Sequence, residues 1–133
     1  MMRRPHRKAR GFSMIEMLVG VLIITFGLLG LITLQGRALQ ASIGTEDSQR
    51  ATLLAAEMAA TMFDQNNVNV NAATVETWAA RAADPASGGL PNGVGTVTVN
   101  GNTARVTVTW RPVQSTGAAN DTNRYSTDVV IPQ

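Results

Sequence analysis

The sequence predicts an α+β fold: a long N-terminal helix, membrane-spanning in its first half, packed by its second half on a small antiparallel sheet of three or four strands. Three observations predict it. From Met17 to Gly36 twenty consecutive residues carry no charge and are rich in Leu, Ile, Val and Met; at ~1.5 Å rise per residue such a helix reaches about 30 Å, one bilayer crossing. No proline occurs between Pro5 and Pro85, so nothing in the covalent chain stops the helix at the membrane surface. Beyond residue 93 the apolar spacing changes from three-to-four residues to two, the period of strands with one buried face.

With 133 residues and 14.1 kDa there is room for one modest domain plus one long element. In chain order, residues 1–11 read as a basic leader, 12–36 as the transmembrane and assembly half of the helix, 37–64 as its amphipathic half, and 65–133 as a globular head. The helix is expected from Phe12 to about Asp64. In its second half Leu39, Ile43, Leu54, Met58 and Met62, with Ala51 and Ala55, form an apolar face opposed by Glu46, Asp47, Arg50 and Glu57. Phe63 and the methionines read as core.

The Asn-rich stretch Asp64 to Asn71 reads as a linker that ends the helix. A short helix is expected over 74–83, with Thr74 or Asn71 as cap, Glu76 in the first turn, Trp78 as apolar anchor and Pro85 beyond its end. Burial of Trp78 is preferred over a sugar-binding role. Pro85, Gly88, Gly89, Pro91 and Gly93 make residues 84–93 a loop.

Strands are expected near 94–100, 104–111 and 124–131, where Val97 and Val99, then Val106, Val108 and Trp110, then Tyr125, Thr127, Val129 and Ile131 alternate with other residues. Asn100-Gly101-Asn102 permits two tight turns. A Gly-Asn turn of type II′ would pair Val97 with Val106 and Val99 with Ala104, whereas an Asn-Gly turn of type I′ would set Val99 opposite Asn102. Packing favours the first, raw turn preference the second. Arg111 to Asn123 reads as a polar loop.

Charge is unevenly placed. Arg3, Arg4, Arg7, Lys8 and Arg10 precede Phe12 with no acid among them; without residues 1–11, six basic residues face nine acidic ones, a net charge of −3. The high isoelectric point therefore belongs to the leader and argues against a nucleic-acid-binding head. An RNA-binding arm is one reading of the basic run; basic residues directly before an apolar segment are better explained by the positive-inside rule, which holds that end in the cytoplasm. A secretory signal peptide is a second alternative, disfavoured because the apolar run exceeds an h-region of ~7 to 15 residues and the best cleavage site, around Leu39-Gln40-Ala41, is weak.

Catalytic parts are scarce. There is no cysteine, and the one histidine, His6, lies in the leader, which removes His-based triads and the usual zinc sites from the remainder. Glu76, Asp84, Asp121 and Asp128 show no pairing that sequence establishes, and the glycine-rich stretches 88–95 and 117–120 lack the context of a phosphate loop. No enzyme, metal or cofactor is expected.

The junction Gly11-Phe12-Ser13-Met14-Ile15-Glu16 is the informative motif: a basic leader stops, an apolar run begins, and one carboxylate sits near its start. An acid there is costly in a membrane and marks a function. Gly11 through Val19 resembles the class III signal of type IV prepilins and pseudopilins. The longer stretch Ile15 to Ser42, with Gly27-Leu28-Leu29-Gly30-Leu31 and Leu34-Gln35-Gly36-Arg37-Ala38-Leu39, is similar to minor pilins of the PilV type, also described as type IV pilus modification proteins.

The resemblance implies a pilin-like fold, cleavage after Gly11 by a membrane prepilin peptidase, and N-methylation of Phe12. Ser13 stands where many relatives have Thr. It further implies that Glu16 pairs with the amino terminus of an adjoining subunit; two such charges ~4 Å apart attract by about 4 kcal/mol at an effective dielectric of ~20, before desolvation is subtracted. Selection of register is thus the safer role.

The implied function is that of a minor pilin in pilus biogenesis, supporting twitching motility or adhesion. The implied partners are other minor and major pilins, the peptidase, the inner-membrane assembly platform, and the membrane before assembly. The precursor would cross the inner membrane once, leader in the cytoplasm and head in the periplasm. Alternatives are a minor pseudopilin of a type II secretion system, a pilus-borne adhesion module using Trp78, Trp110, Tyr125 or the 112–123 loop, and an unprocessed membrane-anchored protein. Two departures from many pilins are the missing C-terminal disulfide and the missing helix proline.

Overall fold

The computed structural model describes residues 11–118 and 120–132. Its elements are helix α1, Met14–Asp64; helix α2, Ala72–Ala82; a 3-10 turn, Pro85–Ser87; and strands β1, Val94–Asn100, β2, Thr103–Trp110, and β3, Asn123–Val130. The architecture is α+β, a long apolar N-terminal helix with a small three-stranded antiparallel sheet, consistent with a pilin-like fold. Contacts divide the chain into two compact units, Met1–Gln40 and Ala41–Gln133.

Helix α1 begins two residues later than the apolar pattern suggests. The Ser13 carbonyl accepts from the Glu16 and Met17 N–H groups at 3.0 and 3.3 Å, so Ser13 is the flanking residue and Gly11 and Phe12 lie outside the helix. Along the apolar stretch, Thr25 and Thr33 donate their hydroxyls to the Val21 and Leu29 carbonyls at 2.7 and 3.0 Å. The polar groups of these side chains are thereby satisfied within the helix itself.

In the second unit, Ala51, Leu54, Ala55, Met58 and Met62 of α1 enter a core completed by Val68, Trp78, Leu90, Ala104, Val106, Val108, Trp110, Val129 and Ile131. Four residues of the expected pattern lie elsewhere. Leu39 and Ile43 are 67% and 42% exposed, and Phe63 is 60% exposed. At 100° per residue Phe63 is turned well away from its buried neighbour Met62, so adjacency in sequence does not bring it into the core. Asp47, expected on the polar face, is only 6% exposed; residues 47, 51, 54 and 58 form one row of three- and four-residue steps, and position, not polarity, decides its burial.

Helix α2 starts at Ala72 because Asn71 caps it: the Asn71 side-chain oxygen accepts from the Ala73 N–H at 2.9 Å. Glu76 consequently stands past the first turn. Trp78 is buried, its indole Nε1–H donating to the Leu54 carbonyl at 2.9 Å and tying α2 to α1. The other side of its ring meets β1 at Gly95, where an added Cβ would lie 2.5 Å from Trp78 Cζ3. Only glycine fits there.

The sheet order is β1-β2-β3, with both neighbouring pairs antiparallel. Val97 pairs with Val106, Val99 with Ala104 and Asn100 with Thr103, so Gly101-Asn102 is the two-residue turn. Gly101 has φ 62° and Asn102 is not at positive φ, the pattern of a type II′ turn. Between the two turns, the packing of the valines decides. This register also starts β2 at Thr103 rather than 104, and β2 ends at Trp110 because the Arg111 N–H leaves the ladder to donate to the Pro91 carbonyl at 3.1 Å. After β3, the Ile131 N–H donates to the Asn102 carbonyl at 3.1 Å. No fourth strand occurs among the described residues.

Candidate functional site

At the N-terminal end of α1, Gly11 and Phe12 precede the helix and are exposed; Phe12 is 84% exposed and nothing lies within 4 Å of a Cβ built on Gly11. Glu16 is exposed in the first turn, where the unpaired N–H groups of the helix favour a negative charge. Residues 1–10 of the leader lie outside the described residues. Past Glu16, large apolar side chains are exposed on all sides of the helix from Met17 to Leu34. Length and composition suffice for a membrane crossing, and none of the most apolar window is buried. A helix apolar all round needs lipid or other helices as its surroundings.

The head offers polar features that sequence reasoning treated as solvated surface. Arg105 of β2 and Asp128 of β3 are direct cross-strand partners, joined by two parallel hydrogen bonds, Nε to Oδ1 at 2.7 Å and Nη2 to Oδ2 at 2.8 Å. The Arg105 hydrogen bond, aided by its charge, holds the Asp128 carboxyl below the usual carboxylate range. Only the strand register brings these residues together, which is why one-dimensional inspection misses the pair.

Asp84 and Asp121 have local roles. Asp84 accepts from the Ser87 hydroxyl at 2.6 Å and the Ala86 N–H at 3.0 Å, and those bonds lower its pKa. In the 112–122 loop, Asp121 accepts from the Thr116 hydroxyl and the Ala118 N–H, both at 3.0 Å, again with a lowered pKa. Both carboxylates organise turns.

Two aromatic side chains considered for ligand binding are core residues: Trp78 and Trp110 are buried, and Tyr125 is half-buried. Among the described residues there is no group of three or more His, Cys, Asp or Glu able to hold a metal ion.

Residues 6–32 match the prokaryotic N-terminal methylation motif. That stretch contains Gly11, Phe12, Glu16 and most of the apolar run. No curated protein and no solved structure matches the chain. The chain therefore carries the N-terminal methylation motif that marks prepilins and pseudopilins, and its long apolar helix and small antiparallel sheet are consistent with a pilin-like fold.

Proposed function

We propose that this chain is a minor type IV pilin of the PilV type, cut after Gly11, methylated on Phe12, and inserted in or beneath a pilus to initiate or modify it. The carrying observation is the order of parts within the matched motif: basic leader, glycine, aromatic residue, carboxylate, then a helix apolar on every side. Gly11 and Phe12 stand outside the helix, as a peptide bond entering a peptidase site requires.

Before assembly the helix crosses the inner membrane once, with the basic leader cytoplasmic and the head periplasmic. Its partners are the prepilin peptidase, the assembly platform, and other minor and major pilins. Glu16 pairs with a neighbouring subunit's amino terminus and selects register. The role is structural rather than catalytic.

N-terminal sequencing and intact mass of mature protein test the processing step. A methylated start at Phe12, lost in Gly11→Val, is expected; a start at Met1, Met2 or Ser42 overturns the reading. Deletion of the gene is expected to reduce pili. Loss of protein export with pili unchanged would instead identify a type II secretion pseudopilin, and loss of attachment at constant pilus number an adhesion module.

A further inference from the structure

Asn-Gly occurs twice in the head, at Asn92-Gly93 and Asn100-Gly101, and the fold treats the two in opposite ways. In such a dipeptide the glycine nitrogen can attack the asparagine side chain, because glycine has no Cβ to obstruct the approach.

At Asn92-Gly93 that nitrogen is engaged. The Gly93 N–H donates to the Leu90 carbonyl at 3.0 Å, and Gly93 is buried. The backbone is tightly enclosed, since a Cβ on Gly93 would lie 2.2 Å from the Ala82 carbonyl oxygen, and Asn92 is held at φ 49°. Reaction there first requires the loop to open, and local opening lowers the reactive population.

At Asn100-Gly101 both residues are exposed. Gly101 is the first residue of the hairpin turn; its N–H has no backbone acceptor among the described residues, and nothing lies within 4 Å of a Cβ built on it.

We propose that Asn100 is a site of spontaneous covalent modification, converted through a succinimide with Gly101 to aspartate or isoaspartate, while Asn92 is protected by its loop. The Gly101 nitrogen, losing its proton, bonds to Asn100 Cγ. The Cγ–Nδ2 bond breaks, and the amide leaves as ammonia carrying that proton. Water then adds to one of the two ring carbonyls: opening on one side leaves aspartate at position 100, and opening on the other leaves isoaspartate. No oxidant, reductant or enzyme is required.

The product changes its surroundings in two ways. Thr98, Asn100, Thr103, Arg105 and Asp128 line one shallow concavity on the outer face of the sheet, so a carboxylate gained at position 100 adds a second acid near the Arg105 pair. Isoaspartate also lengthens the main chain by one carbon at the residue paired with Thr103.

The test is incubation of the full chain in detergent micelles at mildly alkaline pH, followed by proteolysis and fragment-ion mass spectrometry that separates positions 92 and 100. A parallel sample is held in denaturant. In the folded protein, position 100 is expected to react about tenfold or more faster than position 92, a ratio equivalent to about 1.4 kcal/mol of barrier; in denaturant the two rates should converge. Equal folded rates, faster reaction at Asn92, or no product at position 100 while the denatured chain reacts would overturn the proposal. So would a ratio that persists in denaturant, because the preference would then belong to local sequence and not to the fold.

Discussion

Met62 and Phe63 are consecutive, apolar and similar in size, yet one is fully buried and the other largely exposed. Met62→Ala is expected to destabilise the head by about 2–5 kcal/mol, the range for emptying a packed site, and Phe63→Ala by less than about 1 kcal/mol. Denaturation of the full chain in micelles, followed by the fluorescence of buried Trp78 and Trp110, measures both. Equal effects would mean that α1 is rotated from the orientation described. Apolar character was legible in the sequence at both positions; the choice between them depends on the phase of the helix against the sheet, and a list of apolar residues does not contain that phase. Asp47 shows the same dependence in reverse, since a carboxylate on the core row is buried despite its polarity.

Among the elements, the strands were the most legible. Alternating valines located β1 and β2 to within a residue, and the two-residue turn linked their ends. The β2–β3 register was not readable, because the intervening loop is long and polar; with it went the Arg105–Asp128 pair. That pair has a pH consequence. Asp128 has a lowered pKa in the folded protein, so its stabilising effect is complete above the unfolded carboxylate pKa of about 3.9 and is lost as pH falls through the folded value. Arg105→Met is expected to raise the Asp128 pKa toward the ordinary value and to flatten the loss of stability in acid, with little change in the acid response from Asp84 or Asp121. Carboxyl titration by NMR and acid unfolding of both proteins check this. An unchanged Asp128 titration would show that the ion pair does not persist in solution. Helix α2 was located in sequence, but Asn71 as its cap was one of two choices, and the hydrogen bond to Ala73 resolves it.

For the molecule as a whole, the first half of α1 is the part that water does not suit. Ile24→Arg places a charge in the middle of the apolar run, at an insertion cost of about 2.5–3.5 kcal/mol. Carbonate extraction of membranes is expected to release much more of this variant than of the wild type; equal retention would show that something other than the apolar run anchors the chain. The candidate site was legible in sequence as a motif, because Gly11, Phe12 and Glu16 are close together in the chain and need no fold to gather them. The back-bonded hydroxyls of Thr25 and Thr33 have a consequence for any helix that must leave lipid for the interior of a bundle. Each proton is already committed to a carbonyl one turn earlier, so the move exchanges one apolar solvent for another without breaking or forming a bond at either threonine. To these two residues the bilayer and a protein interior are the same medium, distinguished by the shape of the surroundings and not by any polar partner they supply.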